Sequence, residues 1–240
     1  MDVSVVMPCY NEEKTVAKCV IQALGAIKRA RLTGEVVVAD NGSTDDSVGL
    51  ARKAGARVVH QPKKDYGNAY QKGFASAKGR FIIMGDSDCT YDFNDIPEFV
   101  KYLEQYDVVI GSRLRGNIEP GAMPWLHRYI GNPILTKILN ILFKTNVTDA
   151  HCGMRGFRKK ALDKMNCKSE GMEFASELVI NASDFRIKEI PINYYARPGG
   201  SKAKLKSFRD GFRHLKFMVN EKRTRQKEKA NIFWARIDGE

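Results

Sequence analysis

Residues 81–93 read FIIMGDSDCTYDF, four apolar residues and a glycine followed by the carboxylates Asp86, Asp88 and Asp92. A run that is continuously apolar, rather than alternating, marks a strand covered on both faces, as in a parallel sheet. The same pattern recurs in VSVVMP (3–8), EVVVAD (35–40), ARVVH (56–60) and DVVIGS (107–112). Segments 12–31, 44–54, 67–78 and 94–105 carry helical spacing between these runs, and Asn41-Gly42-Ser43-Thr44-Asp45 reads as a turn entering a helix N-cap. Strand and helix in alternation predict an α/β fold on a mostly parallel, open sheet with helices on both faces. Ligands of such sheets bind at the carboxyl ends of the strands, so the chemistry is expected just after Pro8, Asp40, Gly85 and Gly111.

The chain has 240 residues, enough for one large domain with a real core, and its 43% hydrophobic content is that of a folded protein. Its net charge of +12 calls for an anionic partner: nucleic acid, a membrane surface or a phosphorylated substrate. The charge is concentrated. Residues 197–240 hold thirteen Lys/Arg against five Asp/Glu, a net of +8. Five cysteines without a CxxC pair, and four scattered histidines, offer no zinc spacing and suit a reduced, cytosolic setting. The N-terminal stretch lacks the basic and apolar regions of a signal peptide, and no run is long and apolar enough to span a bilayer.

The second half changes character. In MPWLHRYIGNPILTKILNILFK (123–144), Leu126, Ile130, Ile134, Ile138 and Leu142 fall four apart, with Pro133 interrupting. After an expected strand at 187–195 and the loop ARPGGSKAK, the segment 206–219 sets Phe208, Phe212, Leu215 and Val219 on one helix face among basic residues. Such helices either pack on the sheet or lie at a membrane interface.

Asp86 and Asp88, two apart in an extended segment, point to one side and can meet one cation. Mg²⁺ or Mn²⁺ held by one or two carboxylates completes its shell with substrate phosphates. Asp92 either joins that site or caps the helix near Asn94, and Asp40 either contacts a nucleoside or caps its own turn. Neither GxGxxG nor GxxxxGK[ST] occurs, which excludes the usual dinucleotide and P-loop signatures, and no nucleophile elbow is present.

In order and spacing, VVMPCYNEE, VVVADNGSTDDS, YGNAYQKGFASAKG and MGDSD resemble family 2 glycosyltransferases of the GT-A fold. GSR (111–113), Asp149 followed by GMR, MEFASEL and IKEIPINYYARPGGSK are similar to the dolichyl-phosphate (polyprenyl-phosphate) sugar synthases, the mannose synthase-like branch. The resemblance implies a GT-A fold with a Rossmann-like nucleotide-binding half, 1–112, an acceptor-binding half, 113–220, and a basic tail, 221–240. It implies that Pro8, Tyr10, Asn11, Glu12 and Asp40 hold the nucleoside, with Gly42 and Ser43 in the adjoining turn. Gly67 and Gly73 would admit the donor close to the backbone. Asp86 and Asp88 would bind Mg²⁺ or Mn²⁺, with Thr90 where the mannose enzymes tend to carry a metal-contacting Gln. Arg113, Arg128 and Arg155 would receive the acceptor phosphate, and Arg197 and Lys202 would close a loop on the donor.

The implied activity is inverting transfer of a hexose (glucose, GlcNAc or mannose) from a UDP-hexose or GDP-mannose to dolichyl or polyprenyl phosphate. A phosphate acceptor is already dianionic near neutral pH and needs no general base, in keeping with the absence of the Glu-Asp pair of hydroxyl-directed relatives. Transfer to a glycan or lipid hydroxyl is the alternative, with Asp149, Glu173 or Glu177 as the base. The sequence DAHCGMR at 149–155 departs from the DxTSGFR of mannose enzymes and keeps the donor open. A peripheral position on the cytoplasmic face of a membrane is expected. The basic segment is not interleaved with an RNA-stacking motif, so no nucleic-acid partner is expected.

Overall fold

The computed structural model describes residues 1–198 and 207–237. Strands β1 (Val3–Cys9), β2 (Gly34–Asp40), β3 (Arg57–His60), β4 (Phe81–Met84), β5 (Val108–Ser112), β6 (Arg155–Arg158) and β7 (Ile187–Pro191) form one sheet in the order β3-β2-β1-β4-β6-β5-β7. All pairings are parallel except those of β6, which runs antiparallel between β4 and β5. The expected mixed α/β architecture is therefore observed. The reversed strand was not expected, because RGFR lacks the continuous apolar run of its neighbours.

The apolar strands are buried on both faces because alternate side chains feed two separate cores. Val5, Met7, Phe81 and Ile83 meet helices α1 (Val16–Arg29), α2 (Ser47–Lys53) and α4 (Ile96–Leu103) on one side. Val6, Ile82, Met84, Val108 and Ile110 meet α3 (Tyr66–Ser76), α5 (Asn132–Phe143), α6 (Lys159–Met165) and α7 (Phe174–Ala182) on the other. Helix α1 forms where Val16, Cys19, Val20, Ala23 and Ile27 recur at helical spacing, and these are the residues it buries. Each successive strand consequently ends at the same edge, except β6, which begins there.

The last helix, α8 (Ser207–Ile237), continues through the expected boundary at 220. Lys222 donates to the Leu142 carbonyl and Arg225 to Asn181 and Glu221, so the basic segment is a docked helix through that point. The apolar stripes read from spacing are buried only in part: Ile138, Leu142 and Leu215 pack against the core. Helix α5 packs through Thr136, Leu139 and Phe143, leaving Ile134 and Ile141 exposed. On α8, His214 and Met218 are buried, whereas Phe212 is 68% exposed. The side chain of Phe208 lies outside the described residues.

Helix α3 sits unusually close to its neighbours, and its glycines explain how. A Cβ on Gly67 would lie 2.2 Å from the Ser169 carbonyl oxygen, and one on Gly73 would lie 2.3 Å from Val6 Cγ1. These close approaches are made to the protein's own chain rather than to a donor, which corrects the role expected of both residues. Gly67→Ala is expected to cost about 1–3 kcal/mol through overpacking, outweighing a helix-propensity gain of roughly 1 kcal/mol. A urea midpoint that stays level or rises would show that α3 is not seated this tightly.

Candidate active site

A cavity of about 1060 Å³ opens where the strands end. Tyr10 and Glu12 follow β1, Asn41 follows β2, Asp86, Asp88 and Thr90 follow β4, Arg113 follows β5 and Arg197 follows β7. Residues 149–153 enter the same edge from the opposite direction, because β6 is reversed. The cavity thus gathers groups from five strand ends and one strand beginning, at the place expected of an open α/β sheet.

Asp86 and Asp88 form its acidic floor. Tyr70 donates its hydroxyl to Asp86 Oδ1 at 3.0 Å, and Thr90 donates its backbone N–H (3.0 Å) and hydroxyl (2.6 Å) to Asp88 Oδ1. Ser87 turns away and donates to the Pro8 carbonyl at 2.7 Å, tying the acidic loop to β1. Burial, and then the adjacent Asp88 carboxylate, push the Asp86 carboxyl up to about 7. Arg197 offsets part of this charge by pairing with Asp88 and, at 3.5 Å, with Glu12. The pair fits a hard divalent cation: two carboxylates with an oxygen each to spare from these hydroxyl and amide donors, in a site where negative charge is still costly. Among the described residues no cluster of three or more His, Cys, Asp and Glu is found, so the other ligands would be phosphate oxygens and water. Thr90 orients Asp88, which is how its place near the metal site is occupied.

Arg113 is buried against Asp149, with Nε at 2.7 Å and Nη2 at 2.8 Å from the carboxylate oxygens, and its guanidinium lies 5.2 Å from the centre of the Tyr194 ring. Nη1 has no protein partner among the described residues and belongs to a side chain lining the cavity. Arg128 stands outside the lining, over the Tyr129 ring at 5.3 Å in the π-helical turn His127–Gly131. Arg155 is not a phosphate ligand. It is fully buried, and Nε, Nη1 and Nη2 donate to the carbonyls of Cys152, Ala175 and Ala150, a role that charge at the end of GMR did not reveal.

On the nucleoside side, Asp40 is largely engaged in shaping its own turn. Its carboxylate accepts from the N–H groups of Gly42 (3.3 Å) and Ser43 (3.1 Å) and meets His60 Nδ1 at 3.1 Å. Gly42 takes the positive φ of 87° that this turn requires. Asn11 caps the neighbouring loop through Thr44 N at 2.8 Å, and Ser43 Oγ accepts from Asn11 N at 3.0 Å. Pro8, Tyr10, Asn41 and Glu12 face the cavity. Asp92 resolves as a cap, accepting from Asn94 N at 2.9 Å and Gln22 Nε2 at 2.7 Å. Lys202 lies outside the described residues.

Sequence reasoning missed Tyr70, Tyr91 and Tyr194. Tyr70 sits one turn after Tyr66 on α3, with nothing in its spacing to distinguish a carboxylate partner from a core aromatic. Tyr91 accepts the Gly153 N–H at 2.7 Å and meets the Tyr194 ring edge-on, joining the acidic loop to the segment before β6.

Comparison with known proteins gives this site a context. The chain matches the family model described as "Glycosyl transferase family 2" over residues 4–165. It is 47% identical over 220 residues to the low-salt glycan biosynthesis hexosyltransferase Agl6 of Haloferax volcanii, covering 90% of this chain and 52% of that protein. The chain thus spans about half the length of that relative. It is 33% identical to the dolichyl-phosphate hexose transferase of the same organism, over 84% of this chain and 86% of the relative. Among solved structures, glucosyl-3-phosphoglycerate synthase from Mycobacterium tuberculosis, in complex with Mn²⁺, UDP and phosphoglyceric acid, superposes with a TM-score of 0.72 at 20% identity. That match covers 92% of this chain and 78% of the neighbour, a likeness of fold.

Because a cation must displace the proton that burial favours on Asp86, Mn²⁺ affinity is expected to weaken as pH falls through about 7. Calorimetric titration between pH 5.5 and 8.5 checks this, and Asp86→Asn should flatten the profile as well as weaken binding. A pH-independent affinity in the parent protein would contradict the coupling.

Proposed function

Since the chain belongs to glycosyl transferase family 2, we propose that it moves a hexose from a nucleoside-diphosphate sugar to a polyprenyl phosphate, such as dolichyl phosphate, at a membrane surface. The observation that carries this reading is a buried, cavity-lining arginine together with the engagement of the three carboxylates that the sequence offers as a general base. Each of these is held by protein partners. Asp149 is held by Arg113, Glu177 accepts from Lys168 N (2.9 Å) and Ser169 N (2.7 Å), and Glu173 pairs with Arg213. A hydroxyl acceptor would need one of them, whereas a phosphate monoester, with a second pKa of about 6, arrives as a nucleophile.

The residues then divide the work by charge. Tyr10, Asn41 and Glu12 border the space for the nucleoside, and Asp86 and Asp88 would hold Mg²⁺ or Mn²⁺ against the donor diphosphate. The cation would supply neutralisation of the departing nucleoside diphosphate. Arg113, fixed by Asp149 and Tyr194, offers Nη1 to the acceptor phosphate with little orientational freedom left to lose. Arg197 now neutralises Asp88 and Glu12; with Asp88 engaged otherwise, its guanidinium is available to donor phosphates. Attack by the acceptor phosphate on the face opposite the departing diphosphate would invert the anomeric carbon.

The outward face supports the membrane part. Trp125 (66% exposed) and Tyr129 lie tilted against each other with ring centres 5.8 Å apart, followed by Ile130, Ile134 and Ile141 (68% exposed), with Arg128 and Lys137 in the same segment. Phe212 adds to this exposed apolar set from α8. Aromatic and aliphatic groups flanked by cations are the composition of an interfacial surface. No helix among the described residues is long and apolar enough to cross a membrane.

Incubation with radiolabelled UDP-glucose, UDP-GlcNAc or GDP-mannose and dolichyl phosphate should place label in chloroform-extractable lipid. EDTA or Asp88→Ala should reduce the rate by at least a hundredfold, on the order of losing one main electrostatic group of the site; label found only in water-soluble product would sink the lipid-phosphate reading. Separately, sedimentation with anionic vesicles should fall about tenfold or more for the combined variant Trp125→Ser, Ile134→Ser, Ile141→Ser, given about 1.5–3 kcal/mol for each large apolar side chain buried. Unchanged sedimentation would remove this face from the membrane contact.

A further inference from the structure

On the cavity wall beside the acidic floor lies a polar chain that the mechanism above does not use. His151 Nε2 meets Ser176 Oγ at 3.2 Å, and the same hydroxyl meets His214 Nδ1 at 2.8 Å, with the two imidazole rings edge-to-face at 4.6 Å. Both histidines line the cavity. The other nitrogen of the first ring, His151 Nδ1, is buried and has no hydrogen-bond partner among the described residues. An orphaned buried polar atom is costly, and at the wall of a ligand cavity it points to a missing partner.

The chemistry of the chain narrows that partner. Burial, then His214, Arg155 and Arg113, hold the His151 imidazole well below its ordinary pKa, so the ring is neutral with one N–H. Ser176 has a single proton to share. If it donates to His151 Nε2, then Nδ1 carries the ring proton; if it accepts, Nδ1 presents a lone pair. A ligand hydroxyl, which donates and accepts, satisfies Nδ1 in either case, whereas a phosphate oxygen satisfies only one. Position agrees. Two residues further on, a Cβ at Gly153 would lie 3.0 Å from Asp86 Oδ2, so this segment runs alongside the carboxylate assigned to the diphosphate's cation. A sugar attached to a diphosphate held there would face the same wall.

We propose that His151, oriented through Ser176 and His214, is a specificity-determining residue that hydrogen-bonds a hydroxyl of the donor's hexose through Nδ1. This assignment rests on the reading that a sugar nucleotide occupies the cavity. The residue binds the sugar, and Ser176 and His214 position it.

Calorimetry with Mn²⁺ and the pairs UDP and UDP-glucose, UDP and UDP-GlcNAc, and GDP and GDP-mannose separates the sugar's contribution from the nucleotide's. His151→Ala is expected to weaken the preferred sugar nucleotide about three- to tenfold and to leave its free nucleotide within twofold. His151→Asn, whose amide retains a polar atom near the Nδ1 position, should recover part of the loss. Ser176→Ala keeps the imidazole and removes its bridge. It should give a smaller loss in the same direction and convert a single His151 tautomer in the ¹⁵N spectrum into a mixture. Equal losses for nucleotide and sugar nucleotide, no loss for either, or an unchanged tautomer in Ser176→Ala would each overturn the proposal. Should the parent protein bind neither nucleotides nor sugar nucleotides, the donor reading itself fails and this one falls with it, a result visible before any variant is made.

Discussion

Two carboxylates separated by one residue, at the mouth of a strand buried on both faces, repel each other in a place where water screens them poorly. Much of the surrounding structure is organised by that repulsion. Tyr70 reaches from α3 to one carboxylate, Thr90 folds back on the other, and Ser87 between them turns away to bond β1. Arginines arrive from the ends of β5 and β7, one held by a buried carboxylate of its own and one shared between Asp88 and Glu12. What remains uncompensated shows in the raised proton affinity of Asp86, and it is the charge a cation would meet. The basic excess of the chain as a whole does not soften this spot, because most of it lies elsewhere.

The parallel part of the sheet was legible because strands covered on both sides must be apolar throughout, and the Val/Ile runs have few other uses. Asp86 and Asp88 were legible for the converse reason: charge directly after such a run falls at the sheet's binding edge. Strand β6 was not legible, since its two arginines look like surface charge. Only the fold supplies the backbone carbonyls that receive the guanidinium groups, from Cys152, Ala150 and Ala175 for Arg155 and from Leu103 and Tyr106 for Arg158. Gly67 and Gly73 illustrate a related limit. A glycine that admits a ligand and one that admits a neighbouring part of the chain are the same letter, and distances of 2.2 Å to the Ser169 carbonyl oxygen and 2.3 Å to Val6 Cγ1 show the latter.

Helical periodicity was informative about amphipathicity and only partly right about direction, since Ile138, Leu142 and Leu215 pack inward while Ile134 and Phe212 do not. Helix α5 carries two apolar stripes, one through Leu139 and Phe143 and one through Ile134 and Ile141, and spacing alone ranks neither. The inner stripe wins the core because it faces α7 and α8, a fact set by topology. The outer stripe then has no protein cover among the described residues. On α8, His214, bonded to Ser176, and Met218 face inward while Phe212 faces outward, so polar and apolar contacts together set which residues the surface presents.

The reversal of β6 has one more consequence. The chain leaves the sheet after β5 and returns before β6 at adjoining points, where Gly111 N donates to the Met154 carbonyl at 3.0 Å. Everything between the two strands, from Arg113 to Met154, is an excursion that departs and re-enters through the same doorway. Lengthening such a loop costs little, since closure entropy grows only with the logarithm of its length. The excursion is thus tethered at one point of the sheet while it supplies Arg113 and His151 to the cavity and Leu139 and Phe143 to one of the two cores.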